Sequence, residues 1–185
     1  MKRCGWVSSD ELYIKYHDEE WGKPVFDDAV LYEFLLLESF QAGLSWITIL
    51  KKRENFKQAF DGFDYKLISN YKQNKIDELL LNEGIIRHRG KIEAAINNAK
   101  LFQLIQDEFG SFSNYLWNFV DNKPILNAFH TLQDVPAKTD LSDKIAKDLK
   151  KRGFKFMGST TVYAFMQAVG LVNDHVSDCF CFKKK

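Results

Sequence analysis

The residues of this 185-residue chain that suit a soft metal ion lie at its two ends. Cys4 and His17 are near the N-terminus, and His175 and Cys179 are near the C-terminus. The i, i+4 spacing of the second pair places both side chains on one face of a helical turn. Two thiolates and two imidazoles match the ligand set of a closed, tetrahedral zinc site. We therefore predict one structural zinc ion that joins the chain ends and leaves no position open for catalytic water.

Two other interpretations of these residues remain open. Free cysteines are often simply buried, and terminal histidines are often solvated. A disulfide between Cys4 and Cys179 would leave Cys181 unpaired, and nothing in the sequence indicates an oxidising compartment. Apart from Cys181, His88 and His130, the chain has no further cysteine or histidine, so the terminal set carries the metal prediction.

Composition favours a folded, helical protein. Hydrophobic residues make up 45% of the chain and aromatic residues 15%, while there are only three prolines and ten glycines. This balance argues against disorder and against a turn-rich β-sandwich. The apolar spacing is helical nearly throughout, and no segment strongly predicts a strand. We expect one all-α domain over residues 1–185, built as two helical lobes.

The sequence indicates the cellular location and the partners of the protein less directly than its fold. The N-terminus lacks the apolar run of a signal peptide, and no stretch of about 18 apolar residues is present. We expect a cytoplasmic protein without membrane association. The net charge of +1 does not indicate a nucleic-acid binder. Basic clusters at residues 51–53, 87–91, 150–155 and 183–185 would nevertheless form a basic face, although solvated helix surface explains any single cluster equally well.

Residues 140–170 predict two helices joined by a short turn. Asp140 is a candidate cap for a first helix with a basic outer face, and Gly153 suits the left-handed position that ends it. Gly158 then opens a strongly apolar second helix. Such a helix-hairpin-helix presents backbone N–H groups to a DNA phosphate. An ordinary αα-corner has the same pattern and remains the alternative.

Glu38 is the candidate catalytic residue. It lies in a long apolar segment, between Leu37 and Phe40, where carboxylates are rare unless they are paired or functional. The segment is interrupted at residues 41–43, so a glutamate near a helix end that reaches solvent is the alternative explanation.

Aromatic residues surround this carboxylate in the sequence. Trp6, Tyr13, Tyr16 and Trp21 crowd the N-terminal segment, and Trp46 follows the interruption. Core packing is the ordinary role of each one taken singly, but together they favour a pocket for a flat, electron-poor or cationic ring. No Ser/His/Asp arrangement or P-loop is present, and the lysines cluster on polar faces. The chemistry is therefore predicted to need a carboxylate and a π-rich pocket.

At these residues the sequence resembles the 3-methyladenine DNA glycosylase I family of bacterial alkylation-repair enzymes. The resemblance covers essentially the whole chain, and its motifs are long and occur in the right order. The motifs are RCGW (residues 3–6), YIKYHD (13–18), EWG (20–22), QAGLSWIT (41–48), LKKRE (50–54), GIIRHRGKI (84–92), KRGFKF (151–156) and GLVNDH (170–175).

The resemblance implies a helix-hairpin-helix glycosylase fold whose termini share a structural zinc ion. It implies a monofunctional, monomeric enzyme that acts on double-stranded DNA containing alkylated adenine. This enzyme would excise N3-methyladenine, release it as free 3-methyladenine, and leave an abasic site for base excision repair. The implied zinc ligands are Cys4, His17, His175 and Cys179. The implied base-recognising carboxylate is Glu38, and the implied pocket residues are Tyr13, Tyr16, Trp46, Trp6 and Trp21. The implied DNA-contacting residues are Gly43, Leu44, Gly153, Lys155 and Gly158, with Leu44 filling the space that the extruded base leaves.

One departure from the family pattern is visible. The family usually has small residues between the glutamate and the Gln-Ala-Gly motif, where this chain has Ser39 and Phe40. If Phe40 pointed toward the pocket, its volume would alter base selectivity, whereas in the core it would change nothing.

The sequence is also compatible with two other functions. One is a zinc-containing DNA-binding module without catalysis. The other is a glycosylase of different specificity, such as one for 7-methylguanine or mismatched bases.

Overall fold

The computed structural model describes residues 1–182, and the basic cluster at 183–185 lies outside the described residues. The described part is mostly helical, and no helix in it combines the length and the apolar character needed to cross a membrane. Its α-helices are α1 (Glu11–Glu19), α2 (Asp28–Gln41), α3 (Trp46–Ala59), α4 (Tyr65–Ile68), α5 (Gln73–Leu81), α6 (Arg89–Phe109), α7 (Phe112–Trp117), α8 (Asp140–Arg152) and α9 (Ser159–Ala168). Short 3-10 helices cover Asp61–Phe63, Asn118–Val120 and Leu132–Asp134, and the strands are β1 (Ile125–Leu126) and β2 (Val172–Asn173).

The prediction of a helical protein is confirmed. The described residues also form two short strands, which the sequence did not predict. β1 and β2 form a parallel pair, in which Ile125 lies opposite Val172. A pair of two-residue strands has no alternating pattern that could reveal it in the sequence. The pair joins the irregular segment 122–139 to the residues that lead into His175.

Helix α2 lies at the centre of the fold. Every residue from 34 to 40 is buried, so this stretch of the helix has no solvent face. It packs against α3, α6, α7 and α9, as expected for a helix that is apolar on all sides. Glu38 is therefore carried into the interior by the packing of its neighbours.

Helices α8 and α9 occupy the segment predicted to hold two helices, with a shifted N-cap. Thr139, not Asp140, caps α8, through a reciprocal pair of hydrogen bonds with Ser142. Threonine has the extended backbone of a cap, while Asp140 in the first turn suits the helix dipole. Gly153 ends α8 in the left-handed conformation, at φ 100°. Gly158 precedes α9, as predicted.

The two ends of the chain are adjacent. The Gly22 N–H donates to the Gln167 carbonyl at 3.0 Å, beside the end of α9. The Phe180 N–H donates to the Lys2 carbonyl at 3.0 Å. These backbone bonds bring the terminal cysteines and histidines to one place.

Gly170 marks the point where the N-terminal segment crosses the end of α9. Its φ is 68°, and a Cβ built there would lie 2.2 Å from the carbonyl carbon of Lys23. Left-handed backbone and a clash with main-chain atoms both oppose a side chain. We expect Gly170→Ala to lower the free energy of unfolding by about 3 kcal/mol or more, measured by chemical denaturation.

Variants at two other glycines separate the cost of the left-handed backbone from the cost of the clash. Gly5→Ala is the control for a harmless methyl group, because no atom lies within 4 Å and the backbone is ordinary. Gly43→Ala tests the backbone cost alone, since φ is 82° but no atom lies within 4 Å. If Gly43→Ala destabilised the chain as much as Gly170→Ala, the chain crossing would not be the cause.

Candidate functional site

A cavity of about 290 Å³ opens between the N-terminal segment, α2, α9 and residues 132–137. All of the pocket residues predicted from the sequence line it together. They are Trp6, Tyr13, Tyr16, Trp21, Glu38 and Trp46.

The aromatic rings form a continuous wall. The centroid of the Trp6 ring lies 5.0 Å from that of Tyr13 and 5.0 Å from that of Trp21. The rings of Tyr16 and Trp46 are 5.3 Å apart and tilted by 46°. Tilted rings around a cavity present π faces, which attract a cation that has lost its water.

Glu38 is buried, which excludes the alternative of a solvated glutamate at the helix end. Its exposed fraction is 3%, and Oε2 has no hydrogen-bond partner among the described residues. Burial raises the pKa of Glu38 to about 8. Nε1 of Trp46 is likewise buried without a partner in that part of the chain. The cavity therefore contains an unsatisfied carboxyl oxygen and an unsatisfied N–H donor.

The break between α2 and α3 lies beside this cavity. Gln41 ends α2 and lines the cavity, and the chain turns at Gly43 with φ 82°. The Leu44 N–H donates to the Gln41 carbonyl at 2.6 Å, and the Leu44 side chain is 40% exposed. The structure thus leaves Gly43 and Leu44 accessible, next to the residue that lines the cavity.

Lys91 is a residue that sequence reasoning missed. It was expected on a polar helix face, but it is 6% exposed, and burial lowers its pKa. Its Nζ donates to the carbonyl oxygens of Phe40 at 2.8 Å and Ala42 at 2.6 Å, at the end of α2. A cation there complements the helix dipole. Its position four residues before the buried Ala95, on the apolar side of α6, is the signal that could have revealed it.

Phe40 points into the core. Its ring packs 4.8 Å from that of Phe56 and 5.7 Å from that of Phe60, and it does not line the cavity. The departure from the family pattern at this position therefore leaves the cavity unchanged.

The second wall of the cavity was not predicted. It combines the irregular segment with one face of α9, and its composition gives no local signal in the sequence. Its residues are Leu132, Val135, Pro136, Ala137, Thr160, Tyr163, Ala164 and Gln167.

Asp174 lines the same wall and is 1% exposed. Its carboxylate accepts hydrogen bonds from the Tyr163 hydroxyl at 2.5 Å and from the side-chain amides of Gln167 and Asn127, each at 2.7 Å. These donors satisfy both oxygens of the carboxylate, and they tie α9 to the residues that follow β1 and β2.

The predicted zinc ligands converge in one buried cluster next to the aromatic wall, and Cys4 also lines the cavity. One donor atom from each of Cys4, His17, His175 and Cys179 lies within 4.8 Å of the others. Cys4 Sγ is 3.5 Å from His175 Nδ1, and Cys179 Sγ is 3.4 Å from His17 Nε2. Zinc–ligand bonds of about 2.3 Å to sulfur and 2.0–2.1 Å to nitrogen imply a tetrahedral edge of about 3.5 Å. The donor set therefore fits a tetrahedral metal ion, and the cysteines are free rather than disulfide-bonded.

Both imidazoles are oriented by a partner on the ring nitrogen that faces away from the cluster. His17 Nδ1 lies 2.7 Å from Asp18 Oδ1, and His175 Nε2 lies 3.1 Å from the Trp21 carbonyl. The hydrogen bond from Arg3 is the main reason that the pKa of Asp18 falls to about 2, so this carboxylate stays ionised. Partners of this kind fix the orientation of metal-binding histidines.

The cluster also supports the cavity wall. The Trp6 ring lies 5.3 Å from that of His17, and the Trp21 ring lies 4.7 Å from that of His175. The two histidines therefore pack directly against the aromatic wall.

The predicted DNA-contacting residues between 153 and 158 lie on the turn between α8 and α9. Gly153, Lys155 and Gly158 are all exposed. A Cβ on Gly158 would meet no atom within 4 Å, so the start of α9 is open to close approach. Thr160, in the first turn of α9, lines the cavity, which places this turn near the cavity mouth.

The raised pKa of Glu38 makes stability depend on pH. From about pH 4.5, its ordinary value, to about pH 8 the unfolded chain releases a proton that the folded chain retains. The free energy of unfolding therefore falls as pH rises through this window. Relative to wild type, Glu38→Gln should gain on the order of 3–5 kcal/mol between pH 5 and pH 9, measured by denaturant unfolding at both values.

Glu93→Gln is the matched control, because Glu93 is exposed on α6. It should follow the wild-type pH dependence. A parallel pH dependence of the Glu38→Gln variant and the wild type would show that Glu38 is ionised in the folded chain.

Comparison with known proteins gives the family. Residues 6–182 match the family model described as methyladenine glycosylase. The DNA-3-methyladenine glycosylase of Haemophilus influenzae is 51% identical over 179 residues, covering 97% of both chains. DNA-3-methyladenine glycosylase 1 of Escherichia coli K12 is 50% identical over 182 residues, covering 98% of this chain and 97% of its own.

Solved structures agree over the same length. The crystal structure of a Y16F variant of 3-methyladenine DNA glycosylase I, in complex with 3-methyladenine, superposes with a TM-score of 0.95 at 38% identity. The match covers 100% of this chain and 99% of that one. With the family model spanning nearly the whole sequence, this chain belongs to the methyladenine glycosylase family.

Proposed function

We propose that this chain is a DNA-3-methyladenine glycosylase, which extrudes N3-methyladenine from alkylated DNA and hydrolyses its N-glycosidic bond in base excision repair. Relatives that carry this name are about half identical to it over nearly their full length. The observation that carries the proposal is the buried carboxyl oxygen of Glu38, unpaired among the described residues, inside an aromatic cavity.

The cavity suits the electronic character of the lesion. N3-methyladenine in DNA carries a positive charge, so its glycosidic bond is already weak and the leaving group needs no protonation. The enzyme must extrude the base, at a cost of a few kcal/mol, and then hold it. Cation–π attraction in a desolvated cage favours the cation over neutral adenine by about 1–2 kcal/mol.

Glu38 supplies the directional interaction. A cationic ring next to the carboxyl group favours its ionised form, and the carboxylate then accepts a charge-assisted hydrogen bond from the amino edge of the base. Water attacks the sugar carbon as the bond breaks. No lysine lines the cavity in the described residues, and Lys91 Nζ donates to two carbonyl oxygens. The reaction is therefore monofunctional hydrolysis without a Schiff base.

Two exposed segments near the cavity are suited to DNA. Leu44, in the break between α2 and α3, fills the space in the duplex that the extruded base leaves. The turn from Gly153 to Gly158, with Lys155, acts as the helix-hairpin-helix that binds a phosphate through backbone N–H groups. One chain supplies both segments and the cavity, which supports a monomeric enzyme, and the proposed place of action is the cytoplasm.

The terminal Cys/His cluster binds one structural zinc ion in this proposal. Four protein ligands leave no open coordination position, so the metal supplies no catalytic water. Burial raises the pKa of the Cys4 thiol to about 12, and a bound dication would offset that cost by favouring the thiolate. The role of the site is to hold Trp6 and Trp21 against the cavity.

The test of the proposed activity is base excision by the purified chain on a panel of oligonucleotides. N3-methyladenine should be released, leaving an abasic site, while 7-methylguanine and mismatched bases should remain. Glu38→Gln, which is nearly isosteric, should slow excision by about ten- to a hundredfold, because it removes an interaction of roughly 1.5–3 kcal/mol. Binding to an abasic duplex should barely change.

The alternatives give different results in the same assay. Binding of DNA without release of any base would identify a non-catalytic module. Preferred release of another lesion would overturn the proposed specificity, and a wild-type rate for Glu38→Gln would make the carboxylate a bystander.

Zinc is tested by elemental analysis and stability. The chain should contain one zinc ion per molecule, and Cys4→Ser should lower the melting temperature more than the excision rate at low temperature. Cys181→Ser is the matched control, because this half-buried cysteine is outside the tetrahedral set. A metal-free chain of full stability and activity would overturn the zinc proposal.

A further inference from the structure

Two buried polar residues project from one face of α6. Lys91 and Asn98 have exposed fractions of 6% and 0%. They are seven residues apart, which is almost two full turns, so both lie on the same side of the helix and about 10 Å apart along it. Buried polar groups on an apolar helix face need a reason, because each must find partners there.

Lys91 contacts the break that follows α2. Its Nζ donates to the carbonyl oxygens of Phe40 and Ala42, on either side of the last residue of α2. These carbonyls have no partner within the helix because α2 ends here. The ammonium group therefore fixes the main chain immediately before Gly43 and Leu44.

Asn98 contacts the turn between α8 and α9. Its Nδ2 donates to the Lys155 carbonyl at 2.9 Å, and its Oδ1 accepts from the Lys155 N–H at 2.9 Å. The neighbouring Asn97 donates to the Gly153 carbonyl at 3.0 Å. One amide thus holds both main-chain groups of a single turn residue.

The first turn of α6 reaches the same region. The His88 ring lies 6.1 Å from the ring of Phe156, which belongs to the turn and has a positive φ of 57°. A Cβ on Gly90 would lie 3.8 Å from the Phe156 ring. The N-terminal half of α6 therefore touches both segments that the proposed function assigns to DNA.

We propose that Lys91 and Asn98 are positioning residues, and that α6 acts as a rigid spacer between the Leu44 break and the phosphate-binding turn. The inference rests on the proposed function. Phosphates and base steps in a duplex have fixed spacing, so the two segments can engage it together only if their separation is fixed. A helix holds that separation better than loops do, and hydrogen bonds to main-chain atoms transmit it without dependence on loop side chains.

The test compares three measurements for Lys91→Met and Asn98→Ala. Each variant should bind an abasic duplex about tenfold more weakly and should excise N3-methyladenine about tenfold more slowly. Each should bind free 3-methyladenine within twofold of wild type, because neither residue lines the cavity. Lys100→Met and Gln103→Leu are matched controls on α6, since Lys100 is exposed and the Gln103 amide donates within its own helix.

The double variant, Lys91→Met with Asn98→Ala, distinguishes a spacer, whose two contacts act together, from two contacts that act independently. Once one segment is released, the separation is already lost, so the second substitution should weaken duplex binding by less than a further twofold. If the two contacts acted independently, their losses would multiply, and duplex binding would weaken about a hundredfold. Lys91→Gln and Asn98→Asp, which each keep part of the hydrogen bonding, replace the stronger variants if those fail to fold.

Three results would overturn the inference. They are unchanged duplex binding in folded single variants, an equal loss in binding of free 3-methyladenine, and multiplicative losses in the double variant. Duplex binding decides the spacer role even if the wild-type chain released no base, and that failure would count against the proposed function alone.

Discussion

The burial of Glu38 in a helix without a solvent face is the constraint around which this structure is arranged. Helices on all sides of α2 exclude water from the carboxyl group, and the pKa of Glu38 rises to about 8 as a result. The chain carries this cost because the packing around residues 34–40 is extensive. The same packing lowers the dielectric constant around the carboxyl group, which would strengthen the interaction that we propose with a cationic ring.

The aromatic half of the cavity depends on the chain ends. Trp6 belongs to no helix and Trp21 follows the end of α1, so on the helical side contacts with α1, such as the ring of Tyr13 and the carbonyl of Tyr16, position them. Ring contacts with His17 and His175 hold them as well, and the His175 ring also lies 3.1 Å from the Trp21 carbonyl. The terminal cluster is thus part of the architecture of the cavity, and one of its members, Cys4, lines the cavity.

The surface that we propose for DNA is built from helix ends. The break after α2 and the turn before α9 both leave main-chain groups without partners inside a helix. On the protein side, Lys91 and Asn98 satisfy some of these groups and immobilise the segments. In the proposed function, the buried cavity recognises the lesion and these two exposed segments recognise the duplex. Both segments contact the same helix, α6.

Local patterns in the sequence determined the helical character, the turn at Gly153 and Gly158 and the anomaly of Glu38. Each is a matter of periodicity, backbone preference or residue type within a few positions. Residue type alone also singled out the cysteines and histidines at the two chain ends, which the tertiary structure brings together. The tertiary structure alone decided that Lys91 turns inward, that Phe40 packs on Phe56, that Thr139 caps α8, and that residues 132–137 with α9 close the cavity. These outcomes depend on which distant segments meet. A long side chain such as lysine can bury its stem and find carbonyl partners only where another helix happens to end, and no local pattern records that meeting.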